Sequence, residues 1–201
     1  MRAGAMAREF RRRLIWIPIV HTEADLGNMA ESVRNLYVRK MGRAKWAKHV
    51  ADIDRLWREI RAKVKGMHLD YSKVRLYQDG LPDCGHEEQI VRDLARAGSQ
   101  NHQLLADLME RGATIMGTES PELLLEEYNL AREALVASGG GQPRRASPRQ
   151  SQISKAILEK RDRHIGARIA ETLQPGETGL AFLGALHSLA GRLPPDIEIL
   201  R

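Results

Sequence analysis

The chain has 201 residues, of which 42% are apolar and only 4% aromatic, the composition of one globular domain with an aliphatic core rather than of a disordered or collagen-like chain. Its single cysteine, Cys84, excludes a disulfide framework and a multi-cysteine zinc ribbon, and a reducing, cytoplasmic setting is expected. The formal charge of +6 is concentrated: residues 1–13 carry +4 and residues 139–151 carry +3, leaving the rest near −1, so a nucleic-acid groove on the folded body is not expected.

Residues 1–13 read as a basic flexible tail, and residues 14–201 as one domain. Leu14–Val20 is a continuous apolar run, the pattern of a strand covered on both faces. It is followed by His21-Thr22-Glu23-Ala24-Asp25 instead of a small-residue cleavage site, so no secretory leader is expected. No stretch approaches the ~18 apolar residues of a membrane span. Met29–Met41 and the stripe Trp46, Val50, Ile53, Trp57, Ile60, Val64 predict a long helical crossover after the first strand, broken near Gly42.

Val74–Tyr77 is short and alternating, which predicts an edge or half-covered strand. Ala113–Met116 is a third strand, placed after a helix that stops at Gly112. Ser120-Pro121-Glu122 is a helix start, with an N-cap serine and an N1 proline. Residues 139–151 lack periodicity and read as a mobile basic loop. Gly179–Leu183 and Ile197–Leu200 complete a series of four or five strands. Strands alternating with helices predict an α/β fold with a mainly parallel sheet. Pro18 cannot donate to a ladder, so a bulge or free edge is expected beside it.

Ligands of open parallel sheets bind beyond the carboxyl ends of the strands. That rule selects His21 and Glu23 after the first strand, Asp79 after the second, Glu119 after the third, and Gly184 and His187 after the fourth. Histidines and carboxylates gathered there are the groups of metal ligation or general acid–base catalysis. Thr22 with Asp25 equally fits a capping box. Asp162 interrupts the stripe Leu158, Asp162, Ile165, Ile169; a carboxylate on a core-facing stripe needs a partner. It lies in the first part of a helix antiparallel to the strand that ends at His187. Direction alone therefore sends His21, Glu119, Asp162 and His187 toward one cleft, where His187 should be removable at little cost in stability.

The segment Lys160-Arg161-Asp162-Arg163-His164-Ile165-Gly166-Ala167, leading into Leu180-Ala181-Phe182-Leu183-Gly184-Ala185-Leu186-His187, resembles the carboxyl-terminal signature of the TraB/PrgY, ChaN-like and erythromycin-esterase-like superfamily, which includes the TIKI proteases. That signature is an Arg-Asp helix followed by a strand ending in Gly-x-x-His. Pro18-Ile19-Val20-His21 stands where the superfamily has an earlier Gly-x-x-His, with proline in place of glycine.

The resemblance implies a hydrolase-like enzyme acting on a small molecule or peptide. His21 and His187 would be metal ligands or general acid and base. Glu23 and Glu119 would orient or activate water, and Asp162 and Arg161 would position a histidine or substrate. Asp79 and Gly184 are further substrate-side candidates. A divalent metal is the cofactor this allows, with His21, Glu119 and His187 as its candidate ligands. The alternative reading is a non-catalytic regulatory module that holds an anionic ligand at helix N-termini.

Overall fold

The computed structural model describes residues 11–137 and 147–200. Its elements are β1 (Arg12–Ile19), α1 (Ala30–Met41), α2 (Arg43–Lys65), β2 (Val74–Gln78), α3 (Glu87–Arg96), α4 (Gln100–Glu110), β3 (Thr114–Met116), α5 (Pro121–Ala137), α6 (Pro148–Thr172), β4 (Thr178–Gly184) and β5 (Ile197–Leu200). 3-10 segments cover Glu23–Met29, kinked at Gly27, and Tyr71–Lys73. The five strands form one all-parallel sheet in the order β3-β2-β4-β1-β5, the α/β architecture expected from the strand–helix alternation.

β1, β2, β3 and β4 feed two cores, because successive side chains point to opposite faces. Leu180 and Phe182 of β4 join Ile17, Ile19, Val74 and Leu76 under α2, α3 and α4, where Trp57, Ile60, Val64, Val91, Leu104 and Leu105 are buried. Ala181 and Leu183 join Leu14, Trp16 and Tyr77 on the other face, against Ile165 and Ile169 of α6. The crossover is a helical hairpin: Gly42, at φ 89°, separates α1 from α2, a conformation open to glycine at no steric cost. The α2 stripe buries Trp57, Ile60 and Val64, and Ile53 packs half-buried against the same core.

Three expectations are corrected. β2 is an interior strand, between β3 and β4, not an edge. Its apparent polar position, Arg75, sends its guanidinium to Glu177, with Nη2–Oε1 at 2.8 Å and Nε–Oε2 at 2.9 Å, so the charge is paired rather than solvated. Arg12 and Arg13 belong to β1 rather than to a tail. Arg12 Nη1 donates to the carbonyls of Ala170 (2.6 Å) and Leu173 (3.1 Å) at the end of α6, where a cation complements the helix dipole. The segment expected to be a loop through Ser151 ends earlier: Ser147 N-caps α6, its Oγ accepting from Gln150 N at 3.1 Å, and Pro148 takes the first helical position. Residues 1–10 of the basic tail and residues 139–146 lie outside the described residues.

β5 pairs with β1 only from Arg12 to Ile15. Pro18 lies beyond that point, exposed, and is paired across to Leu183 of β4. No helix among the described residues is long and apolar enough to cross a membrane.

Candidate functional site

Parallel strands deliver their carboxyl ends to one side of the sheet, and the loops that leave β1, β2, β3 and β4 meet there. The chain leaving β1 is pinned where the Trp57 indole donates to the Val20 carbonyl at 3.1 Å, which sets His21 at the rim. Asp79 extends β2, its N–H bonding Phe182 O at 2.9 Å. The loops after β2 and β3 zip together. Asp83 N donates to Glu119 O (2.8 Å), Thr118 and Glu119 N both donate to Leu81 O, and Gln78 N donates to Thr118 Oγ1 (2.9 Å). This backbone zipper carries Glu119 to the side of Asp79. Gly80 N then donates to Glu119 Oε1 at 3.1 Å.

Asp79 is the centre. Its Oδ2 accepts from Gly184 N at 2.9 Å and lies 3.3 Å from both His21 Nε2 and His187 Nε2, while its Oδ1 lies 2.7 Å from Arg161 Nη2. Gly184 is required by this approach, because a Cβ there would stand 2.8 Å from Asp79 Oδ2. Arg161 Nε donates to Glu119 Oε2 at 2.8 Å, Nη2 also pairs with Glu119 Oε1, and Nη1 reaches Glu127 Oε2 at 2.6 Å. Asp162, next in sequence, points elsewhere: its Oδ1 is 2.7 Å from His187 Nδ1, and its Oδ2 accepts from Ser188 N at 3.0 Å. Adjacent residues on a helix thus serve two partners about 100° apart.

Asp79, Glu119, Asp162, Arg161 and His187 are all buried, whereas the His21 side chain is 40% exposed. Three buried carboxylates outnumber the one buried guanidinium by two, and the two imidazoles supply the balance when protonated. The titration directions agree. The hydrogen bond to Asp79 raises the His21 pKa. Burial pulls His187 down, but Asp79 and Asp162 together raise it above the ordinary value. Burial would raise Asp79, yet its bonds to His187 and His21 hold it far below the carboxylate range. Burial opposes the charge on Arg161, and Glu119, Asp79 and Glu127 overcome it, raising its pKa.

The structure brings His21, Asp79, Glu119, Arg161, Asp162, Gly184 and His187 into one connected cluster. It leaves Glu23 outside, 3.6 Å from Arg34 on α1. Glu119 is fully buried with both oxygens occupied, so it holds Arg161 and does not meet solvent water. Thr22 and Asp25 form the capping box, and Asp25 also bonds Ser99 Oγ (2.5 Å) and lies 3.3 Å from His102 Nδ1. Burial opposes the charge of Asp25, but His102, Ser99 and Thr22 hold its pKa at about 2. Ser99 is fully buried and N-caps α4, so this trio fastens the 3-10 segment to α4. Glu127 and Arg192, the latter 4.0 Å from Asp162, join the cluster without any signal in the sequence.

Asp79, Glu119 and His187 offer donor atoms within 4.8 Å of one another, and a carboxylate on the far nitrogen of a histidine is a common support for a metal-bound imidazole. The Arg161 guanidinium, however, lies on both carboxylates of that triad. The cation position is filled by a side chain, and the set does not fit a divalent ion beside it.

No family model, no curated protein and no solved structure matches this chain.

Proposed function

We propose that the protein is a hydrolase-like enzyme, of the TraB/ChaN/erythromycin-esterase-like kind its signature resembles, that cleaves a carboxylic ester or amide by general acid–base catalysis without a bound metal. The observation that carries this reading is the sharing of Asp79 Oδ2 at 3.3 Å by an exposed imidazole, His21, and a buried one, His187. One histidine meets solvent and the other is held in a fixed field, a division of labour suited to water activation.

In this reading neutral His21 accepts a proton from water as the water oxygen bonds to the carbonyl carbon. The buried His187 imidazolium, with its N–H groups held by Asp162 and Asp79, contributes a fixed positive field to the cleft in which the carbonyl oxygen gains charge. As the tetrahedral adduct collapses, the bond to the leaving oxygen or nitrogen breaks and that atom takes the proton held by His21. Asp79 orients both imidazoles, Asp162 fixes the ring of His187 through Nδ1, and Arg161 with Glu119 positions Asp79. These last are positioning residues. A preorganised site of this kind needs little rearrangement during reaction.

The alternative, a module binding an anionic ligand, has less support, because carboxylates dominate the cleft. The test is turnover of p-nitrophenyl esters and aminomethylcoumarin amides by protein purified without a His tag, with and without chelator. Chelator-insensitive hydrolysis lost in His21→Ala and Asp79→Asn is expected. Absence of turnover across the series, or activity that follows metal content, would overturn the reading.

A further inference from the structure

The near-neutral charge of the folded body is an average over two unlike regions. Residues 32–51 hold Arg34, Arg39, Lys40, Arg43, Lys45 and Lys48 and no aspartate or glutamate. Taking these six cations out of a body near −1 leaves the rest of it near −7. All six lie on the hairpin of α1 and α2, and all six are exposed. Arg34 lies 3.6 Å from Glu23. The other five have no carboxylate partner among the described residues.

This hairpin stands off the sheet. No residue of α1 is buried, and α1 packs mainly on the 3-10 segment before it and on α2. α2 meets the carboxyl edge of the sheet where the Trp57 indole donates to the carbonyl of Val20, the residue before His21. From Trp57 it runs back along the sheet to Val64, and its buried positions all lie in that stretch. Residues 43–52, about 15 Å of helix, lie on the other side of Trp57 and carry the hairpin past the edge.

Three rings join the two helices at this end. Tyr37 of α1 stacks on His49 of α2, with centroids 5.2 Å apart and planes at 15°, and meets Trp46 edge-on at 5.2 Å and 60°. All three are half-buried, so ring surface stays open to solvent. Lys45 and Lys48 are three apart and share one row of α2. Trp46 and His49 form the adjoining row, about 100° around the helix. A row of cations therefore runs beside a row of rings.

We infer that this arm binds single-stranded nucleic acid, with its cations along the phosphates and its rings against the bases. Cations alone suit any polyanion. The rings select a strand with unpaired bases, since a duplex keeps its bases stacked inside. An anionic membrane surface calls for an apolar face that enters the headgroup region, and among the described residues Met41, at 40%, is the one large apolar side chain that the arm exposes. The binding is independent of the proposed hydrolytic function.

The experiment measures the fluorescence anisotropy of a labelled oligothymidylate of about twenty nucleotides, titrated with the full chain. Saturable binding that weakens with salt is expected, tighter than to a duplex of the same length. Lys40→Gln, Arg43→Gln, Lys45→Gln and Lys48→Gln together should weaken it at least tenfold and reduce its salt dependence, while thermal melting stays that of the parent. Replacing Arg2, Arg8, Arg144, Arg145 and Arg149 of the basic tail and loop by glutamine should cost less than threefold. Trp46→Leu should weaken binding at least threefold at unchanged salt dependence, and Trp46→Phe, which keeps a ring, should restore it. Parent-like affinity in the four-glutamine variant or in Trp46→Leu overturns the proposal. So does a preference for the duplex, or binding confined to phosphatidylserine vesicles, which would make the arm a membrane contact.

Discussion

Asp162 Oδ1 lies 2.7 Å from His187 Nδ1, across 25 residues of sequence and the whole of β4. The pair joins the helix before β4 to the loop after it. Because Asp162 Oδ2 also accepts from Ser188 N at 3.0 Å, the carboxylate is a staple as well as a ring orienter. His187 is correspondingly 7% exposed, and the expectation that it could be removed at little cost in stability is revised: its loss would leave Asp162 and Asp79 facing each other's field with fewer partners.

His187→Ala is accordingly expected to destabilise the fold by about 2–4 kcal/mol, the cost of orphaning buried charged acceptors. Urea unfolding monitored by circular dichroism measures it. A change below about 0.5 kcal/mol, the ordinary size for an uncommitted surface position, would contradict the buried network.

Removal of Arg161 should be the most damaging single change in the cluster. Arg161→Met leaves Asp79 and Glu119 buried without their cation, a loss of about 3–5 kcal/mol. Arg161→Lys should recover only part, since one ammonium cannot span Asp79, Glu119 and Glu127 as the guanidinium fork does. Melting temperatures of the two variants against the parent decide it; equal melting for all three would refute the pairing.

Stability should fall as pH rises above about 6.5. His21 and His187 both have raised pKa values in the folded protein, so over this window the folded chain binds more protons than the unfolded one. The contribution is full below the unfolded value and disappears once pH passes the folded values. Asp79→Asn removes the main cause of both shifts and should flatten the slope of unfolding free energy against pH. Imidazole Cε1–H titrations by NMR provide an independent reading, with both curves moving to lower pH in the variant.

The acid limb has a different origin. Asp25, with a folded pKa of about 2, contributes stability that is present above the ordinary aspartate value near 3.9 and is lost as pH falls toward 2. Asp25→Asn should remove part of the acid sensitivity while leaving the histidine-dependent slope above pH 6.5 in place. Guanidinium unfolding at a series of pH values separates the two limbs.

Gly184→Ala is expected to act on the site more than on the fold. The added methyl would stand 2.8 Å from Asp79 Oδ2, displacing the oxygen shared by the two imidazoles. In the proposed hydrolytic reaction this should lower kcat by at least tenfold, with a change in KM smaller than threefold, because the carboxylate positions the reacting groups and not the substrate. A kcat equal to that of the parent would remove Asp79 from the reaction.

The sequence by itself determined the parallel sheet, the helical hairpin broken at Gly42, and the delivery of His21, Glu119 and His187 to one edge; Asp162, expected in the first part of its helix, lies past the midpoint of α6. These are consequences of local periodicity and of chain direction: a strand followed by a covering helix and a parallel strand returns every strand end to the same side. Only the tertiary structure decided which of those residues touch. Asp79 looked like one polar residue among several after β2, and its central place depends on β2 lying beside β4 in the sheet order, a pairing of strands far apart in sequence. Arg161 and Asp162 are adjacent in the chain, yet helix rotation sends one to Asp79 and Glu119 and the other to His187. Glu23 follows the same strand end as His21 but turns to Arg34, because the capping box of Thr22 and Asp25 sets the direction of the chain there. Which strand end a residue occupies is written in local order; which neighbour it meets depends on lateral strand order and helix phase, and those are settled by packing between segments that the sequence keeps apart.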